Sequence, residues 1–206
     1  MNNLEFLEFP KVARLSREII ITEKIDGTNA QLLITESGEI FIGSRTRWIT
    51  PLNDNHGFAR WAEGNKQELL KLGVGRHFGE WWGGGIQRGY GLQKDDKRFS
   101  LFNISRWALH GTEPKKIPTA DPRIEKYQDM LPEICSLVPE LYRGQFDTQK
   151  INEILEFLKI NGSYASKGFM NPEGIVVFHT AANMGFKKTI EKDELPKSIY
   201  TSKTKV

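Results

Sequence analysis

Apolar and polar positions change period along this chain, and the changes mark out its elements. Residues 17 to 47 read as strands: Ile19 to Ile21 form one apolar run, Ala30 to Ile34 a second, and Ile40 to Ile42 a third. Thr35 to Glu39, with Gly38 inside, supply hairpin chemistry between the last two. The first two are separated by Lys24, Ile25, Asp26 and Gly27, more charge than a turn requires. Residues 57 to 72 predict one or two helices anchored by Phe58, Trp61, Leu69 and Leu72, with a break at Gly64. Residues 74 to 92 are glycine-rich and aromatic, Phe78, Gly79 and Glu80 end a strand there, and Phe99 to Phe102 form a short apolar strand.

Asp121 and Pro122 read as an N-cap and first helical residue, in a helix cut short by Pro132. The clearest helix starts at Asp147 or Thr148. Its Ile151, Ile154, Leu155 and Leu158 fall on one stripe, and Gly162 ends it. Gly174 to Phe178 and Met184 to Phe186 then read as two strands paired through Thr180 to Asn183. The economical fold class is one α+β domain with antiparallel sheets.

Composition adds exclusions. With 206 residues, 38% hydrophobic and 27% charged, the chain has the make-up of a globular domain. It has no apolar run of the roughly 18 residues a membrane span needs, and its acidic N-terminus does not read as a secretory signal. A single cysteine, Cys135, excludes an internal disulfide and a cysteine-rich zinc site, and fits a cytoplasmic setting. His56, His77, His110 and His179 lack ligand spacing; only His77 and Glu80, three apart, suggest a weak metal pair. Net charge is only +3, but residues 187 to 206 hold six lysines against three acids. That tail is either a solvated end or a phosphate contact.

The candidate chemistry lies in short motifs: EKIDGTN (23–29), GSRT (43–46), FGE (78–80), SLF (100–102), EGIVV (173–177) and FKK (186–188). Each is weak alone; six in this order resemble the covalent nucleotidyltransferase superfamily of ATP-dependent ligases and mRNA-capping enzymes. Within it, EKIDGTN and HFGEWWGGGIQRGYGL are most similar to the ATP-dependent RNA ligase family, in particular its nick-sealing phage and RNA-editing members. The resemblance runs from about residue 20 to 190, and between 105 and 165 only in general character.

The resemblance implies a nucleotidyltransferase (ATP-grasp-like ligase catalytic core) fold; the 18 residues after Lys188 are too few for the OB-fold that DNA ligases and capping enzymes carry, so no OB-fold domain is expected. Residues 1–190 would form the adenylyltransferase domain and 191–206 a basic tail. It implies ATP and Mg²⁺ (or Mn²⁺) as cofactors, RNA ends or a nicked duplex as substrate, a role in RNA repair, and no membrane. With few phosphate contacts of its own, such a domain would bind substrate weakly and salt-sensitively, or rely on a protein partner.

The implied reaction starts with Lys24 attacking the ATP α-phosphate to form lysyl-AMP. AMP passes to a 5′-phosphate, and a 3′-hydroxyl then displaces it. An ordinary lysine, pKa about 10.4, is neutral in roughly 1 molecule in 2,500 at pH 7, so the site must favour the free amine. By resemblance, Asp26 orients Lys24 or binds metal water, Glu173 assists the metal, and Lys187 contacts the α-phosphate. Glu23 meets the adenine edge unless it is a solvated acid, Gly27 allows close backbone approach, and Asn29 contacts phosphate or metal water. Arg45, with Arg47 as second choice, reaches ribose or phosphates. Glu80 accepts a ribose hydroxyl, and Phe102 stacks on adenine unless it is a core residue.

Two departures stand out. Lys187 and Lys188 are adjacent where the family's lysines are one residue apart, so Lys188 is the backup; and Asn103 replaces a frequent Asp. Trp81, Trp82 and Arg88 either clamp a nucleic acid strand or belong to the core. The alternatives are a DNA ligase, a GTP-using capping-type enzyme, or a non-catalytic nucleotide-responsive nucleic-acid-binding module.

Overall fold

The computed structural model describes residues 6–103, 131–191 and 193–194. The expected helix at Asp121 and most of the basic tail lie outside the described residues.

Among the described residues, nine strands form two sheets. One, in the order β7-β1-β8-β9, joins β1 (Glu18–Lys24), β7 (Glu140–Gln145), β8 (Gly174–His179) and β9 (Met184–Thr189). The other, in the order β3-β2-β4-β5-β6, joins β2 (Thr28–Ile34), β3 (Ile40–Ser44), β4 (Gly75–Gly83), β5 (Lys97–Leu101) and β6 (Cys135–Leu137). All pairings are antiparallel except β5 with β6, which is parallel and corrects the wholly antiparallel expectation.

The three isoleucines of β1 are contiguous because the strand is buried on both faces. Ile19 and Ile21 pack with Ile175 and Val177 of β8 against helix α3 (Thr148–Asn161) through Leu155 and Leu158. Ile20 faces the other way, into a seam with Ile25, Trp82, Tyr90 and Val138 that ties the two sheets together. Asp147 caps α3 by accepting from the Gln149 and Lys150 amides at 2.8 and 3.3 Å, and Gly162 ends it with φ 79°.

The second sheet has its own core. Ala30, Leu32, Ile34, Ile42, Trp81 and Phe99 face Phe58, Ala59 and Ala62 of α1 (Phe58–Gly64), together with Leu69 of α2 (Lys66–Leu69) and Leu72. Its opposite face is polar near β1 and looks into the space between the sheets.

Several boundaries differ from expectation. The helical break falls at Asn65, whose side chain donates to the Trp61 carbonyl at 2.7 Å. Phe78, Gly79 and Glu80 sit in the middle of β4, because that strand pairs on both sides, with β2 and β5. β9 runs on to Thr189. β7, whose polar pattern gives no strand signal, completes the first sheet beside β1. Among the described residues no helix is long and apolar enough to cross a membrane.

Candidate active site

The last two residues of β1 point to opposite faces, as strand alternation requires. Lys24 enters the space between the sheets, where Nζ donates to Glu173 Oε2 at 2.6 Å. The pair is largely enclosed, its side chains 23% and 10% exposed. Glu173 stands directly before β8, whose first residue, Gly174, pairs with Lys24, so the ladder itself sets lysine against glutamate.

Glu23 goes the other way. Its carboxylate accepts from Ser163 Oγ at 2.6 Å and from the Tyr164 and Ala165 amides at 2.8 and 2.9 Å. It is 1% exposed, and burial pushes its pKa up despite these three donors. The Glu23 carboxylate thus holds the 163–165 loop, and residue 23 also lines the cleft.

Across the cleft, Glu80 accepts from the Gly27 amide and from Asn29 Nδ2, each at 3.1 Å. Burial pushes its pKa up to about 7; Lys24 and the Gly27 amide pull the other way, while Glu173 and Asp26 add to the rise. Gly27 is needed for close approach, though to the chain's own strand β4. A Cβ there would lie 2.5 Å from the Trp81 carbonyl oxygen and 2.7 Å from Trp82 Cβ.

Asp26 is anchored through its neighbours. Its amide donates to Tyr90 Oη at 2.8 Å, and its carboxylate accepts from Arg88 Nε at 3.2 Å. Arg88 also donates to Asn171 Oδ1 at 2.7 Å, joining the loop after β1 to the loop before Glu173. Tyr90 is buried in the left-handed region, φ 53°, a conformation uncommon outside glycine. Ser166 Oγ donates to its carbonyl at 2.8 Å and helps hold this backbone. Sequence reasoning passed over Tyr90 in this role; the only signal was its place in the glycine-rich stretch.

These groups line a cleft of about 1090 Å³. Lys24, Asp26, Gly27, Asn29, Arg45, Glu80, Phe102, Glu173 and Lys187 all face it. Phe102 is 41% exposed, which removes the core alternative. Lys187 pairs with Val176, another cleft residue, whereas Lys188 pairs with Ile175 on the helix-covered face and reaches Asp193 at 4.0 Å. Adjacent lysines thus take opposite faces. Arg47 is exposed and contributes its carbonyl to the Ser44 amide at 2.8 Å; its side chain is not part of the lining. Trp81 and Trp82 are both core residues, 2% and 1% exposed, with their indole N–H groups on the His56 carbonyl and Ser100 Oγ.

His77 and Glu80 cannot act as a metal pair, because three steps along a strand put them on opposite faces; His77 Nε2 lies 2.9 Å from the Gly73 carbonyl. Among the described residues no group of three or more His, Cys, Asp or Glu is placed to hold a metal by itself. Two carboxylates, Asp26 and Glu173, nevertheless reach the cleft, where they pair with Arg88 and Lys24. One or two carboxylates suffice for a hard cation whose other ligands are phosphate and water, so the residues present fit such an ion.

The family model for RNA ligase matches residues 17–192. No curated protein matches the chain. Among solved structures, a Naegleria gruberi RNA ligase mutant with AMP and Mn superposes with a TM-score of 0.57 at 18% identity, over 85% of this chain and 50% of that one. Another mutant of that ligase, with ATP and Mn, gives 0.58 at 18% identity over 86% and 51%. An apo mutant described as RNA ligase R4a gives 0.57 at 19% identity over 84% and 50%. The chain spans about half the length of these proteins, and at this identity the likeness is one of fold.

Proposed function

Since this chain belongs to the RNA ligase family, we propose that it is an ATP-dependent RNA ligase working through an adenylate carried on Lys24. The observation that carries the reading is the Lys24–Glu173 pair at 2.6 Å, at the floor of a cleft where the motif residues converge.

Lys24 Nζ attacks the α-phosphorus of ATP. An N–P bond forms and the bond to pyrophosphate breaks; of the two protons an ion-paired amine must lose on the way, the second goes to water and the first leaves before attack, exposing the lone pair. Glu173 Oε2, already hydrogen-bonded to the amine, is the group placed to take that first proton. The pair must separate for the nitrogen lone pair to reach phosphorus. Lys187, on the cleft face of β9, and Arg45 balance the phosphate charge. Mg²⁺ or Mn²⁺, held by Glu173 and Asp26, would supply further charge neutralisation at the phosphates.

Glu80 is suited to a ribose hydroxyl. It stands between Asn29 and Gly27 with a pKa near 7, so a nucleotide hydroxyl can stabilise its ionised form. The exposed ring of Phe102 supplies a stacking face for adenine. In the second step a 5′-phosphate oxygen attacks the adenylate phosphorus and the N–P bond breaks. In the third, a 3′-hydroxyl attacks the activated 5′-phosphate, forming the phosphodiester and releasing AMP.

The test is incubation with ATP labelled at the α-phosphate, followed by a denaturing gel. Label that survives denaturation and is absent from Lys24→Ala is expected. Label of equal strength in Lys24→Ala contradicts the assignment. Repeating the assay with GTP, then joining RNA or DNA ends, separates the ligase from capping-type and DNA-joining chemistry.

A further inference from the structure

Outward from Glu80, the cleft-facing side of β2 and β4 carries an aromatic and arginine surface that no step above uses. The register opposes Asn29 to Glu80, Gln31 to Phe78 and Leu33 to Arg76, so these six share one face. Arg76 and Phe78 line the outer cleft. The Arg76 guanidinium carbon lies 5.4 Å from the Trp48 ring centroid and 6.0 Å from that of Phe78, against both rings. It also donates to Gln31 Oε1, while Gln31 Nε2 donates to the Ser44 carbonyl at 3.0 Å. Trp48 packs over the strand at Gly43; a Cβ there would lie 3.1 Å from its ring and 2.8 Å from the Gln31 side chain. The guanidinium is thus fixed by an acceptor and by ring contacts, in a preorganised arrangement.

The rings are nonetheless open to solvent: Trp48 is 48% and Phe78 51% exposed. An exposed aromatic surface of this kind marks an interaction site. Its positive charge suits a phosphate-bearing ligand, and its continuity with the cleft suits a ligand whose end reaches Lys24. Exposed ring faces accept bases of any identity, but only bases that are not already stacked in a duplex.

We propose that the Phe78–Arg76–Trp48 surface is a stacking platform for unpaired nucleotides of the RNA strand whose end enters the cleft, so that the substrate carries a single-stranded flank at the joint. The proposal rests on the ligase reading above, and it names where that activity grips its substrate.

The test is fluorescence anisotropy of a short, fluorescein-labelled single-stranded oligoribonucleotide with the full chain. Trp48→Leu removes one stacking face and is expected to weaken binding about tenfold. Trp48→Phe keeps a face and should stay within about twofold of wild type, which also controls for folding. A blunt RNA duplex of the same length should compete about tenfold less well than the single strand. Wild-type affinity in Trp48→Leu, equal competition by the duplex, or no binding by the wild-type protein overturns the platform. The ATP-labelling assay on the wild-type protein separates the two failures. Label together with any of these results removes only the platform. Absence of label removes the ligase reading, and the platform with it.

Discussion

Two carboxylate environments lie back to back at the end of β1. Behind the strand, Glu23 is closed off, with three short donors from one loop. In front of it, Glu80 has two donors at 3.1 Å, and Glu173 has Lys24. Both Glu23 and Glu80 are raised in pKa by burial, so burial does not distinguish them. What differs is the setting: on one side a hydroxyl and two amides of a single loop enclose the acid, and on the other one amide and the side chains of Asn29 and Lys24 hold the acids at an open cleft. A buried acid tied to backbone amides is spent on architecture, whereas one facing a cleft across from a lysine is available for chemistry.

Substitutions on the two faces should therefore fail in different ways. The largest effect belongs to Lys24→Ala, which is expected to lower adenylate formation by more than about 10³-fold, because among the described residues no other lysine pairs with Glu173. Its urea unfolding midpoint should stay close to wild type. Glu23→Ala should do the reverse. Ser163 Oγ and two backbone amides lose their acceptor, a loss of about 3 kcal/mol in unfolding free energy, read from urea denaturation. Glu23→Gln should recover part of it.

On the front face, Lys187→Ala should reduce adenylate formation about 30-fold, as expected for a charge-assisted contact worth roughly 2 kcal/mol. Lys188→Ala should change it by less than about twofold, since its side chain lies outside the cleft near a partly exposed acid. Equal losses would mean that the ladder does not sort the two lysines.

Glu80→Gln should weaken nucleotide binding about tenfold, and its pH dependence carries the sign. The folded pKa, about 7, exceeds the ordinary value of 4.5. The associated stability is fully present below about pH 4.5 and is lost as pH rises through 7. Glu80→Gln lacks this loss, so its stability relative to wild type should improve across that window, by up to about 3 kcal/mol. Nucleotide affinity of the wild type should rise over the same interval as Glu80 ionises, and the Gln variant should be flat.

Much of the front face was legible in the sequence, for local reasons. Lys24, Asp26, Gly27 and Asn29 fall in one short motif, and strand alternation supplies the rest once β8 and β9 pair. That alternation also decides between Lys187 and Lys188, a choice that needed the register and not only the motif. The back face was not legible. Glu23 meets residues about 140 positions away, and nothing local in ITEK indicates which of two adjacent charges turns inward. Phe102 and Trp81 illustrate the same limit from the apolar side. Sequence alone left each between core and ligand contact, and one is exposed in the cleft while the other is buried against Phe58. β7 escaped notice because its residues are polar or half-buried, and only its pairing with β1 makes it a strand.

The most direct measurement is peptide mapping by mass spectrometry after incubation with ATP and Mg²⁺. One adenylate on the peptide containing Lys24, retained under denaturing conditions and removed by acid as a phosphoramidate is, is the predicted result. An adenylate on another residue, or an unmodified chain under conditions where the protein is folded, would contradict the claim that this amine carries AMP.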